Sequence, residues 1–194
     1  MIELGYKLNG IVHIGAHYGE EIPYYKTLVG NNIVCFEPLA HAFLAFKQSH
    51  PDIPIYRIAL SDNNGSAKFY ETADGAYGQM SSLLEPLDEI FHMTGGVKRV
   101  RTVQTMRFDS WFSWVCERYL CNCVVIDTQG SELQVLKGFG SLIHNFKFFS
   151  IECSEKPLYK GSATAQEVID FMATNGFVQK TPTVSHGDIL FVKF

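Results

Sequence analysis

Ile11-Val12-His13-Ile14-Gly15-Ala16-His17-Tyr18-Gly19-Glu20 is the stretch that decides the fold of this chain. Its apolar, β-branched start bounded by a glycine reads as a buried strand. Gly15 and Gly19 then let the backbone turn sharply and approach a ligand closely. A helix-like segment follows from about Gly19 to Leu28 and ends near Gly30. Ile33-Val34-Cys35-Phe36-Glu37 repeats the strand signal, and Pro38 suits the first turn of a second helix. Ala42, Phe43, Phe46 and Lys47 carry that helix toward His50-Pro51, and Ile53 to Leu60 reads as a third strand. Strands alternating with helices imply a parallel sheet with right-handed crossovers.

The middle of the chain breaks this rhythm. Lys68-Phe69-Tyr70 continues a short strand after the turn Asn63-Asn64-Gly65. From Thr72 to Gly96 periodicity fades and glycines gather (Gly75, Gly78, Gly95, Gly96). This predicts a long loop with about one turn of helix, of the kind that serves as a lid or binding loop. Val100 to Met106 reads as an extended edge, and Phe108, Trp111, Phe112, Val115 and Tyr119 form an aromatic stripe at helical spacing that predicts a core face. The alternation resumes with the strand Cys123-Val124-Val125-Ile126-Asp127, a helix from Ser131 to Lys137, and a strand from Phe146 to Glu152. Thr164-Ala165-Gln166-Glu167 is a capping box, Val168, Phe171 and Met172 are the apolar face behind it, and Asn175-Gly176 closes the helix. Phe177-Val178 and Ile189-Leu190-Phe191-Val192, with Gly187-Asp188 between them, are expected to pair antiparallel at the sheet edge.

Composition agrees with one globular domain over residues 1–194: 46% hydrophobic and 19% charged residues exclude a disordered or collagen-like chain. Lys and Arg number 16 against 20 Asp and Glu, a net charge of −4, which argues against a nucleic-acid partner. Lys98-Arg99-Val100-Arg101 is too short a basic cluster to reverse that. No apolar run reaches the ~18 residues of a membrane span, and Met1 to Lys7 lacks the apolar region of a signal peptide. Cys35, Cys116, Cys121, Cys123 and Cys153 lie in apolar runs and read as buried free thiols in a reducing compartment, with the cytoplasm expected. Cys121-Asn122-Cys123 lacks zinc-knuckle spacing, and the sequon Asn64-Gly65-Ser66 is better read as part of a turn.

Five places carry chemistry. The glycine turn does not complete the dinucleotide fingerprint, because residue 17 is His and residue 20 is Glu. Glu37 ends the second strand within reach of a ribose, whose two hydroxyls a carboxylate can hold, or else it is a surface acid at a helix N-terminus. Beside the glycine turn the ribose reading is favoured. Ala59-Leu60-Ser61-Asp62 ends the third strand and offers an acid and backbone groups to a heterocycle, or only opens the turn Asn63-Asn64-Gly65. Asp127, in Ile126-Asp127-Thr128-Gln129-Gly130-Ser131-Glu132, closes a central strand where ligands of open α/β sheets sit, while Ser131 and Glu132 cap the next helix. Glu152, in Ser150-Ile151-Glu152, repeats the arrangement on the next strand, and two carboxylates so placed suit a proton transfer or a hard divalent cation.

In this order, Val12 to Glu20, Phe36-Glu37-Pro38, Ala59 to Gly65, Ile126 to Glu132 and Ile151-Glu152 resemble the FkbM-type family of S-adenosylmethionine-dependent methyltransferases over nearly the whole chain, Ile11 to Phe191. The resemblance implies a class I methyltransferase fold: a Rossmann-like, seven-stranded, mostly parallel sheet with an antiparallel last strand. It also implies S-adenosyl-L-methionine as cofactor and O-methylation of a small-molecule, sugar or glycan acceptor. Gly15, Ala16, His17 and Gly19 would line the methionine end, with Glu20 opening the helix there. Glu37 and Pro38 would meet the ribose, and Leu60, Ser61 and Asp62 would lie by the adenine. Ser81 and Ser82 match a serine-bearing stretch before the edge strand, and Asp127 and Glu152 would face the transferred methyl and the acceptor. His13 departs from the family, which usually has an acid there; a neutral imidazole would instead bond a backbone group or the cofactor carboxylate.

The expected chemistry is in-line displacement, with the protein supplying alignment and a place for the proton. Asp127 takes the proton as the new bond forms, or its pKa is raised by burial beside Glu152. A divalent ion bridging the two acids is the less favoured route. A nicotinamide-dependent oxidoreductase, a nucleic-acid methyltransferase and a degenerate partner-binding domain are the competing functions; the second lacks an Asn-Pro-Pro-Tyr-like run. Acceptor specificity is expected from residues 72–96 and from Lys156-Pro157-Leu158-Tyr159, where Tyr159 either stacks on a sugar or packs. His41, His50, His144 and His186 are read as surface or loop residues, and His92 as part of the lid.

Overall fold

The computed structural model describes residues 6–73, 78–183 and 185–194. The expected leaderless start at Met1 and the loop glycine Gly75 therefore lie outside the described residues, as does the side chain of Cys116. The chain opens with β1 (Ile11–Ile14), α1 (Ile22–Val29), β2 (Ile33–Phe36), α2 (Ala40–Ser49) and β3 (Ile55–Tyr56). It continues through β4 (Ala59–Leu60), β5 (Gly65–Thr72), α3 (Asp88–Thr94), β6 (Val97–Met106), α4 (Phe108–Trp111) and α5 (Ser113–Tyr119). It closes with β7 (Cys123–Ile126), α6 (Glu132–Gly138), β8 (Phe148–Ser154), α7 (Ala165–Thr174), β9 (Val178–Gln179) and β10 (His186–Val192).

Seven strands form the main sheet in the order β3-β2-β1-β7-β8-β10-β9. β3, β2, β1, β7 and β8 run parallel, whereas β10 is antiparallel to both β8 and β9. This is the class I methyltransferase sheet with its antiparallel last strand. Every residue of β1 and β2 is buried, as expected for parallel strands covered on both faces. On one face Val12, Ile14, Phe36, Val124, Ile126, Phe149 and Ile151 join one core; on the other Ile11, Ile33, Cys35, Cys123 and Phe148 join a second. The chain leaves β1 toward β2 and β3 and returns on β1's other side as β7, so a crevice opens at the carboxyl ends of β1 and β7.

Four expectations change. Val100 to Met106, expected as an edge, belongs to the middle strand of a smaller, three-stranded sheet, because Thr105 and Met106 pair with β4 on the side away from β5. Ile53 to Leu60 is two short strands in different sheets: Cys35 and Phe36 of β2 pair with β3, whereas β4 pairs with β6 in a separate sheet of order β4-β6-β5. The Ile58 amide donates to the Tyr56 carbonyl at 3.0 Å, a tight turn that redirects the chain between them. The aromatic stripe is likewise broken, because Phe112 (φ −114, ψ 16) separates α4 from α5. Phe108, Phe112 and Val115 are buried, but Trp111 points to solvent at 62% exposure. Pro38 stays outside the second helix, whose N-cap is Leu39.

Elsewhere the capping box at Thr164 and Glu167 is present, and Cys35, Cys121, Cys123 and Cys153 are buried free thiols. Within the long loop, α3 is seven residues long, and Tyr70 bridges Ser82. Among the described residues no helix is long and apolar enough to cross a membrane.

Candidate functional site

The site begins where β1 ends. Gly15 adopts φ +87, and a Cβ placed on it would lie 1.7 Å from the Asp127 carbonyl oxygen, so only glycine fits. The Gly15 and Ala16 amides both donate to the Phe36 carbonyl at 3.0 Å, and the Asp127 amide donates to Ile14 at 3.0 Å. Those bonds hold the ends of β2, β1 and β7 together. His17 then takes a left-handed conformation (φ 45), unusual for a non-glycine residue and concentrated at binding sites. Its amide donates to Glu37 Oε2 at 3.0 Å, and the Leu39 amide donates to Oε1 at 2.7 Å. Burial pushes the Glu37 carboxyl up to about 7, against the two amides that favour its charged form.

The second half of the site comes from β7 and β8. Gln129, also left-handed (φ 55), donates its Nε2 protons to Asp127 Oδ1 at 2.7 Å and Glu152 Oε2 at 2.6 Å. Its Oε1 accepts from the Tyr159 hydroxyl at 3.1 Å. Glu132 Oε1 accepts from the Thr128 amide, the Thr128 hydroxyl and the Gly130 amide, and so shapes the loop that presents Gln129. Burial raises Glu132 to about 7. Glu152 is pushed up to about 9, first by burial and then by the neighbouring Asp127. Its Oε1 lies 3.4 Å from His186 Nε2.

The two halves face one cavity of about 340 Å³. Gly15, His17, Glu20, Glu37, Pro38, Leu60, Asp127 and Glu152 all line it. Leu39, Ile58, Phe69 and Leu83 add an apolar wall, and Gly78 to Ser81 bring part of the long loop to its edge. The other expected site residues do not line the cavity. His13 is buried on β1, edge-on to Tyr25 at 5.4 Å, with Nδ1 unpartnered and its pKa lowered by burial to about 4. Ala16 is buried, and Gly19 abuts the Phe46 ring. Ser61 is buried with its amide on Met106, while Asp62 accepts from Asn63 and, through its carbonyl, from Arg107. Ser82 is fully buried with its Oγ accepting from the Leu84 amide, so Ser81 rather than Ser82 reaches the cavity.

Tyr159 is 2% exposed and packs against Gly130, which rules out stacking on a sugar face. His92 is exposed on α3 and does not line the cavity. Two members of the site carried no signal that sequence reading could use. Gln129 lies within Ile126 to Glu132, but nothing in the sequence shows that its backbone turns left-handed. His186 reads as a loop residue, yet pairing of β10 with β8 sets it opposite Ser154 and beside Glu152. Among the described residues no group of three or more His, Cys, Asp or Glu side chains is arranged to hold a metal ion.

The raised Glu152 carboxyl makes a stability prediction. The unfolded chain releases this proton near the ordinary 4.5, whereas the folded chain keeps it until about 9. Stability therefore falls as pH rises through that window. Glu37 and Glu132 act the same way only up to about 7; above that Glu152 acts together with the buried thiols Cys123 and Cys153, which burial raises from 9.0 to about 12, so the difference between wild type and a Glu152 variant reads the carboxyl. Glu152→Gln is expected to flatten the decline of Tm between pH 7 and 9 by a few degrees, measured by calorimetry; an unchanged slope overturns this account.

Comparison with known proteins agrees with the geometry. The domain family described as "Methyltransferase FkbM domain" matches residues 13–178. The 2-O-methyltransferase NoeI of Sinorhizobium fredii is 23% identical over 193 residues, covering 93% of this chain and 77% of that protein. The crystal structure of methyltransferase FkbM from Methylobacillus flagellatus KT superposes with a TM-score of 0.60 at 13% identity; it spans 95% of this chain, and this chain spans 43% of it. Magnesium protoporphyrin IX methyltransferase from Synechocystis PCC 6803, solved with bound SAM, gives 0.53 at 9% identity, over 100% of this chain and 74% of that one. A cavity at the β1–β7 switch point and a family match spanning residues 13–178 lead to one conclusion: the chain belongs to the FkbM methyltransferase family.

Proposed function

We propose that this protein is an S-adenosyl-L-methionine-dependent O-methyltransferase whose acceptor is a hydroxyl of a sugar or glycan. The observation that carries the reading is the acid pair Asp127 and Glu152, which opens into the same cavity as the Gly15 turn and Glu37. The residues fit the cofactor. Gly15, held against the Asp127 carbonyl where only glycine fits, lines the cavity with bare backbone. Each Glu37 oxygen accepts one amide and keeps a lone pair for a ribose hydroxyl. Leu39, Ile58, Leu60 and Leu83 offer an apolar flank to a planar base. When bound, S-adenosylmethionine supplies a methyl group on a positively charged sulfur.

The chain's own residues then handle the hydroxyl. Asp127 accepts its hydrogen bond and takes its proton, while Gln129 fixes both carboxyls at one separation. Glu152, holding a proton at neutral pH, keeps the pair at a single negative charge. The similarity to a protein named a 2-O-methyltransferase supports oxygen as the acceptor atom. The four buried free thiols suit a reducing compartment such as the cytoplasm.

Calorimetry with S-adenosylhomocysteine and with NADH, followed by methyl-label transfer to sugars, glycans and oligonucleotides, tests the reading. Micromolar binding of the first alone, with label on a carbohydrate, is expected. Failure to bind it at millimolar concentration, or label only on oligonucleotide, overturns the proposal.

A further inference from the structure

A hydroxyl proton taken by this half-buried acid pair has to leave before the next turnover. Glu152 Oε2 is engaged by Gln129 at 2.6 Å. Its other oxygen, Oε1, faces His186 Nε2 at 3.4 Å. The Glu152 side chain is 20% exposed and the His186 side chain 43%, so the histidine connects the acid to solvent. His186 also lines a small recess of about 20 Å³ that shares Gln129 and Glu152 with the main cavity. That volume is about one water molecule. Asp188, two residues along the same strand, stands opposite Glu152 in the β10–β8 pairing.

We propose that His186 is the exit for the acceptor's proton, passing it from Glu152 Oε1 to solvent. The inference rests on the methyltransferase reading and extends it. The protons balance. Asp127 gains one from the acceptor hydroxyl. Glu152 gives its own from Oε1 to His186 Nε2 and takes Asp127's in its place, so that Asp127 is again free to accept. His186 releases one to water or buffer, and the pair returns to its single shared proton. No electron changes hands. An imidazole is suited to this task because its two ring nitrogens let it accept a proton on one side and give one up on the other. His186 acts through Glu152 and is a positioning and relay residue, not one that touches the reacting atoms.

His186→Ala and His186→Gln test it. Both are expected to bind S-adenosylhomocysteine within about twofold of wild type and to keep single-turnover methyl transfer within about threefold. Steady-state turnover is expected to fall about tenfold or more, and added imidazole to restore it in His186→Ala. Independently of activity, ¹⁵N NMR of the His186 ring is expected to shift in Glu152→Gln. Unchanged steady-state turnover, no rescue by imidazole, or an unmoved His186 signal overturns the proposal. Wild-type protein that methylates no acceptor sinks the underlying reading instead, so the two failures are distinguishable.

Discussion

Asp127→Asn is expected to lower methyl transfer by about 10²–10⁴-fold while leaving affinity for S-adenosylhomocysteine within about threefold. Asn keeps an oxygen for Gln129 Nε2, which now donates to Asp127 Oδ1 at 2.7 Å, so the clamp on Glu152 survives. What is lost is the charge that accepts the hydroxyl's proton. The Asp127 charge is also the second cause of the raised Glu152 carboxyl, after burial. The substitution should therefore let Glu152 ionise at lower pH, and a pH titration of the variant followed by NMR reads that directly. A variant that methylates at the wild-type rate removes Asp127 from the chemistry.

Gly15→Ala is expected to cost about 4 kcal/mol or more and to abolish cofactor binding. Two penalties combine there: φ +87 disfavours any side chain, and the new Cβ would sit 1.7 Å from the Asp127 carbonyl oxygen. Backbone cannot swing aside as a flexible side chain can, so β1 and β7 would have to part. Gly95 separates the penalties, since it is left-handed (φ 75, ψ 15) but has nothing within 4 Å of an added Cβ. Gly95→Ala should cost only about 1–2 kcal/mol, the conformational share. Urea midpoints measure both, and equal losses would show that crowding against Asp127 contributes nothing.

How far the sequence reveals this site depends on the element. The strands of the parallel sheet announce themselves as continuous apolar runs, because both faces are covered; Ile11–Ile14, Ile33–Phe36 and Cys123–Ile126 are cases. Glu37 and Asp127, which follow β2 and β7, are then placed by chain direction alone, whereas Glu152 lies inside β8, which runs on to Ser154. Ile53 to Leu60 misleads because no Gly, Asn or Pro marks the turn at Tyr56–Ile58 where the chain changes sheets, and a single Arg57 inside an apolar run does not read as a turn. Trp111 misleads because helical spacing presumes one continuous helix, and Phe112 interrupts it. The shift from Ser82 to Ser81 is the alternation of an extended segment, invisible until Ser82 is seen paired with Tyr70. His186 needed long-range register, set by pairing with residues more than thirty positions earlier in the chain.

The Glu37 carboxylate has a consequence beyond its own contacts. Backbone amides from two separate loops tether it before any ligand arrives. A compound with adjacent hydroxyls meets an acceptor already aimed and immobilised, so no rotamer entropy is surrendered at that point on association. The same double tether makes one side chain the staple between two crossovers, and shortening it would slacken both entrances to the crevice at once.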